Sequence, residues 1–193
     1  SAFDSWLKQF LNWLLSSEQG IAEGMSVNNH GNCYDLQIYA IAAYLGDIDL
    51  MYKIAIDAIG RMTMHFDIEG IQHHEMNRTA SAHYTTFNLQ LWMSLRRIIK
   101  STLGICLLDY KTPYEDSAEP SSPISLGIDW LYPHHGKTWA FKQINEFDAR
   151  RREVVFRMAL GEKKIFNSIV SSELKEVESL PTCFFPHDGI PIL

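Results

Sequence analysis

Two short runs hold most of the side chains that could do chemistry. The run "VNNHGNCYDLQ", residues 27–37, sets Asn28, Asn29 and His30 side by side and ends on Gln37. The run "HHEMNRTASAHY", residues 73–84, adds Arg78, His83 and Tyr84. Turn chemistry accounts for Asn28 and Gly31, because Asn caps helix N-termini and Gly tolerates tight backbone. It does not account for Asn29 and His30. An amide donor, an imidazole, a permanent cation and a phenol together suit the removal of a proton alpha to a sugar carboxylate. The carboxylate must first be neutralised by donors or a cation, so that enolate-like charge can develop. A phenolate favoured by Arg and His can then take the proton and return one to the leaving glycosidic oxygen. That chemistry is β-elimination on a uronate, and it calls for no metal and no cofactor.

The other reactive residues point to structure. His65, His73 and His74, with Asp67 and Glu69, match no metal-binding spacing and read as a solvated loop. Cys33, Cys106 and Cys183 show no zinc-type spacing. Their odd number fits one disulfide plus a thiol, a bridge to another chain, or three thiols. Cys33 has no separate base placed for it and reads as structural. His134 and His135 read as turn residues, and Trp6, Trp13 and Trp92, at helical spacing, read as core.

The elements that must position these groups are helices. Phe3, Leu7, Phe10, Leu11 and Leu14 form one apolar stripe, with Trp6 and Trp13 on or beside it. Tyr34, Ile38, Ile41 and Leu45 form a second. "GDIDL" then breaks the chain, with Asp47 as a helix cap, before Leu50, Ile54, Ala58 and Met62. After the polar stretch "HFDIEGIQHHEMNRT", a fourth helix carries Tyr84, Phe87, Leu91, Leu95 and Ile98. "DYKTPYEDSAEPSSP" is a long loop. A short apolar segment stopped by Pro133, a turn at His135-Gly136 and a helix around Phe147, Val154, Val155 and Met158 follow. Residues 181–193, with Pro181, Pro186 and Pro191, read as an extended tail beyond a domain of residues 1–180. Helical hairpins with almost no alternating strand pattern imply an all-α fold.

With 193 residues and 46% hydrophobic content the chain can bury one core of ordinary size. Its net charge of −6 argues against a broad surface for nucleic acid. No run of apolar residues is long enough to cross a membrane as a helix.

Three stretches carry a family resemblance. "NNHGNCYDLQ" resembles the Asn-Asn-His-Gly-x-x-Tyr-Asp-x-Gln signature of the alginate lyase superfamily. "EMNRTASAHYTTFNLQLWMSL" is similar to its second block, where an Arg precedes a His-Tyr pair. "GIDWLYPHHGKTWAFKQI" resembles a segment near the end of these domains. The resemblance implies an (α/α) toroid of antiparallel helical hairpins and a lyase acting on alginate or a related polyuronate. It makes Asn29 and His30 the carboxylate-neutralising pair, Arg78 their cationic partner and Tyr84 the base and acid, with His30 the alternative base for the opposite epimer. Family members that place the Arg one residue earlier would put Asn77 there. Asn28 and Gln37 would orient their neighbours, His83 would pack beside Tyr84 at the substrate, and Trp139 and Gln143 would touch sugar.

These domains usually carry a further stretch of helices before the first block, so the resemblance implies an incomplete toroid. It leads us to expect a second polypeptide supplying the N-terminal half, or self-association, and secretion to act on an extracellular acidic polysaccharide. A lectin-like carbohydrate-binding protein on the same scaffold is the alternative.

Overall fold

The computed structural model describes residues 1–111 and 121–160, so the tail from 181, Cys183 and most of the acidic loop lie outside the described residues. The chain runs α1 (Ala2–Ser16), α2 (Glu18–Gly24), α3 (Asn29–Leu45), α4 (Ile48–His65), α5 (His73–Met76), α6 (Ser81–Leu103), α7 (Pro123–Leu131) and α8 (Arg150–Leu160). Single 3-10 turns lie at Leu107–Asp109 and Tyr132–His134. Among the described residues the only extended pairing is one isolated bridge, Ala80 with Gln143. The all-α expectation holds.

The joints follow from local chemistry. Gly46 ends α3 in the left-handed conformation at φ 74°, and Asp47 N–H returns to Ala42 O at 2.9 Å. Asp47 at once caps α4, its carboxylate accepting from Leu50 N–H at 3.1 Å. Ser122 caps α7 in the same way, with Pro123 in the first turn.

α3 packs against α4 and α6, and α6 packs against α7 and α8. The row α3, α6, α8 is thus backed by α1, α4 and α7. Leu7, Leu11, Ile38, Ile54, Met62, Leu89, Trp92, Leu95, Ile128 and Phe156 are buried in one continuous core. Burial of such side chains is worth roughly 1.5–3 kcal/mol each before entropy is counted.

Two expectations change. Trp92 is fully buried, but Trp6 and Trp13 are 55% and 47% exposed. The apolar stripe of α1 is wider than its seat: Leu7, Leu11 and Leu14 are its buried residues, and Phe10 packs partly buried beside them. His65 is not part of a solvated loop. It is the last residue of α4 and is buried, its Nδ1 accepting from Trp92 Nε1 and Asn88 Nδ2, both at 3.1 Å.

Candidate active site

The site is built where α3 begins, against α5 and the first turns of α6. Asn28 caps α3, its Oδ1 accepting from His30 N–H at 3.1 Å. This directs Asn29 inward and leaves His30 outward, as 5% exposure for the first and an exposed ring for the second attest.

Gly31 is required by what lies behind it. A Cβ there would meet Arg61 Nη1 at 2.1 Å and Ser26 O at 2.2 Å. Arg61 cannot yield easily. It donates to Asp35 through Nε at 2.6 Å, to Ser26 O through Nη1 and to Gly24 O through Nη2, both at 2.8 Å. One guanidinium therefore straps the segment before α3 onto α4. Burial pushes the Asp35 carboxyl up while Arg61 holds it down. The ion pair stays in place because its remaining donors find backbone carbonyls.

Asn29, Asn32 and Asp35 recur every third residue and are all buried. Each has its partner on a different helix: Glu75 of α5, Asn88 of α6 and Arg61 of α4. Asn88 Nδ2 continues to Gln72 Oε1 at 2.8 Å and to His65, so a buried polar network joins the helices that carry the two motifs. Among the described residues, His65 Nε2 and Asn32 Oδ1 meet no partner within it.

The two motifs meet through Arg78. Its Nη1 lies 3.5 Å from the Asn29 amide, and its guanidinium carbon stands 3.9 Å from the centroid of the Tyr84 ring. Asn29, Arg78 and Tyr84 thus form a continuous set, with a fixed positive charge against the phenol. Asn77 is exposed and ends the short helix α5. His30 Nδ1 faces Glu23 Oε2 at 2.9 Å. A carboxylate there favours the tautomer with its proton on Nδ1, which frees Nε2 to accept a proton or, once charged, to donate one.

A pocket of about 330 Å³ opens between α2, α3 and α6. Asn29, His30, Cys33, Gln37 and Phe87 are among the residues that line it, and Gln37 also donates weakly to Cys33 Sγ at 3.6 Å. Tyr84 and Arg78 border this region without lining the pocket. Phe87 does line it, three residues from Tyr84 on the same helix face. Cys33 and Cys106 are free thiols.

The remaining residues do not line the pocket. His83 Nδ1 accepts from Arg151 Nη1 at 2.9 Å, and its ring stacks on Phe87 and meets Tyr84 edge-on at 5.2 Å. Burial, with Arg151 second, lowers the pKa of that imidazole. Gln143 turns its polar atoms onto the chain's own backbone. Its Oε1 accepts from Ala82 N–H at 3.0 Å and its Nε2 donates to Asn145 O at 2.8 Å, so it caps α6. Trp139 donates from Nε1 to Ser81 Oγ at 2.9 Å, and Arg152 lies over its ring at 4.6 Å. The third motif therefore acts as a brace under the helix that carries Tyr84. Glu23, Arg61 and Glu75 are the site residues that motif reading missed; the three-residue spacing from Glu75 to Arg78 was the one sequence signal for the last of them.

The comparisons with known proteins bear on the family and the fold. The profile of the family described as "Alginate lyase" matches residues 1–120, which include both main motifs. The crystal structure of an alginate lyase from Bacteroides ovatus is similar, with a TM-score of 0.79 and 26% identity. That match covers 93% of this chain and 46% of the other, so the chain spans a little under half the length of its solved relative. No curated protein matches. The fold is thus the helical toroid type, and this chain belongs to the alginate lyase family.

Proposed function

We propose that the chain forms the catalytic part of a polysaccharide lyase, cleaving a uronate-containing polymer, alginate or a related polyuronate, by β-elimination. The observation that carries this reading is the contact of Asn29 and Arg78 with each other and of Arg78 with Tyr84, beside a pocket lined by His30. Asn29 and Arg78 supply donors and positive charge to the uronate carboxylate, drawing electron density from the adjacent C–H bond. Tyr84, as phenolate, removes the C5 proton. Electrons move into the C4–C5 double bond as the C4–O bond breaks, and the phenol returns a proton to the departing oxygen. His30, held by Glu23, presents Nε2 as the base for the opposite epimer.

Phe3, Trp6 and Trp13, all about half exposed, favour a covered surface over a bare one. We place a second polypeptide, or a second copy, on that flank of α1, and the work of the protein outside the cell. The second reading is a carbohydrate-binding protein on the same scaffold without turnover.

The test is to incubate the chain, with any polypeptide that co-purifies, with a panel of polyuronates. The ultraviolet absorbance of a 4,5-unsaturated uronate is then followed. Its appearance supports the lyase; saturable binding with no unsaturated product supports the binding protein.

A further inference from the structure

Glu75 opens the second motif without a role read from it, yet it is the acid group bound to Asn29. It lies in α5, 1% exposed, and its Oε1 accepts the backbone N–H of Asn29 at 2.5 Å. That N–H is the first of α3, one of the donors a helix leaves unsatisfied. The Asn29 side chain meets the same group. With its nitrogen turned toward Glu75, Nδ2 stands 3.3 Å from Oε1 and 3.2 Å from Oε2. The reverse orientation would set a carbonyl oxygen against both carboxylate oxygens, acceptor against acceptor, and gain only a long 3.5 Å hydrogen bond from Arg78 Nη1, so the nitrogen faces Glu75 and Arg78 is a neighbour of the amide, not its donor.

We propose that Glu75 is a positioning residue, which fixes the orientation of the Asn29 amide by accepting both its backbone and side-chain N–H groups. A primary amide has two protons. Glu75 holds one, leaving the other to donate to an incoming uronate carboxylate, and the carbonyl cannot swing round to repel it. The role in binding rests on the function proposed above; the orientation of the amide rests on geometry alone. The charged or titratable groups facing Glu75 are Arg78, beyond α5, and His30, on α3. Burial raises the carboxyl above its usual range, while the Asn29 N–H and these two groups pull it back.

The test uses the full chain and Glu75→Gln. This variant keeps an oxygen for the Asn29 backbone N–H but replaces the second acceptor with a donor, so the Asn29 amide must turn over. In nitrogen-15 NMR of the wild type, the backbone and side-chain amide signals of Asn29 follow one titration, with a midpoint above the ordinary carboxylate range. In Glu75→Gln both titrations vanish while the rest of the spectrum is kept. Calorimetry with a short oligouronate then shows binding weakened at least about tenfold, the scale of one lost hydrogen bond to a charged group.

A side-chain signal of Asn29 that ignores Glu75→Gln, or an unchanged oligouronate affinity, overturns the proposal. If the amide signals behave as stated but no oligouronate binds the wild type, the proposed function fails and the positioning role stands. If Glu75→Gln does not fold, Glu75→Gln with Asn29→Asp restores a donor facing an acceptor. Recovery of the fold supports the pairing, and failure to recover overturns it.

Discussion

A buried imidazole and a buried carboxylate, His65 and Glu75, show what residue types alone conceal. Both sit in a stretch whose histidines and acids have the composition of solvated surface, and both are enclosed. Burial, with Arg61 and His74 behind it, lowers the pKa of His65 to about 3. An unfolded histidine binds its proton near the ordinary value of about 6.5, so the unfolded chain gains protons first as the pH falls. His65 therefore contributes stability above about pH 6.5 that is lost as the pH falls toward 3, at about 1.4 kcal/mol per unit. Asp129, raised by burial to about 6, has the opposite sign and favours the fold at lower pH. Comparison with His65→Gln isolates the histidine. In denaturant unfolding, the stability gap between wild type and variant narrows by about 1.4 kcal/mol per unit from about pH 6.5 to 5. A gap that stays constant contradicts a buried, neutral His65. Asn29, His30, Arg78 and Tyr84 could be named as candidates from their types and their two motifs, and the fold brings Asn29, Arg78 and Tyr84 together. Glu75 was passed over, since one acid among histidines carries no period and its three-residue spacing to Arg78 was its one signal.

At the scale of elements, the sequence shows helices through periodicity and caps, and α3, α4 and α6 begin or end close to those signals. The short α2 and α5, 7 and 4 residues long, were hidden because neither is long enough to show a period. They matter all the same, for α2 supplies Glu23 and α5 supplies Glu75. The buried polar row of α3 was also illegible, because its partners come from three other helices. The strap formed by Arg61 turns a local feature, Gly31, into a constraint on how α3 enters the fold. Gly31→Ala places a methyl group against Ser26 O and the pinned guanidinium. It destabilises the protein by about 1–3 kcal/mol, the usual cost of overpacking, and increases amide exchange in residues 24–31. A melting temperature and exchange pattern equal to wild type would show that the strap bears no strain.

On the scale of the whole molecule, fold class and family were both legible, because motif order and helical patterning agree. The exposure of α1 was not. A stripe containing Phe3, Trp6, Phe10 and Trp13 looks like core when only the chain is read, and its rings stack along the helix at 5.5–6.1 Å. If that flank is an interface, Trp6→Gln with Trp13→Gln reduces association in sedimentation while leaving unfolding within about 0.5 kcal/mol, as expected of exposed positions. A wild-type chain that sediments as a monomer, with no co-purifying polypeptide, contradicts the interface.

The central claim is that Tyr84 is the group that moves the proton, and Tyr84→Phe tests it most directly. Oligouronate affinity and the rate of unsaturated product are measured together for both proteins. Removal of the phenol leaves Asn29, Arg78 and His30 in place, so affinity stays within about threefold while turnover falls by about 10²-fold or more. Unsaturated product formed by Tyr84→Phe at the wild-type rate would contradict the account.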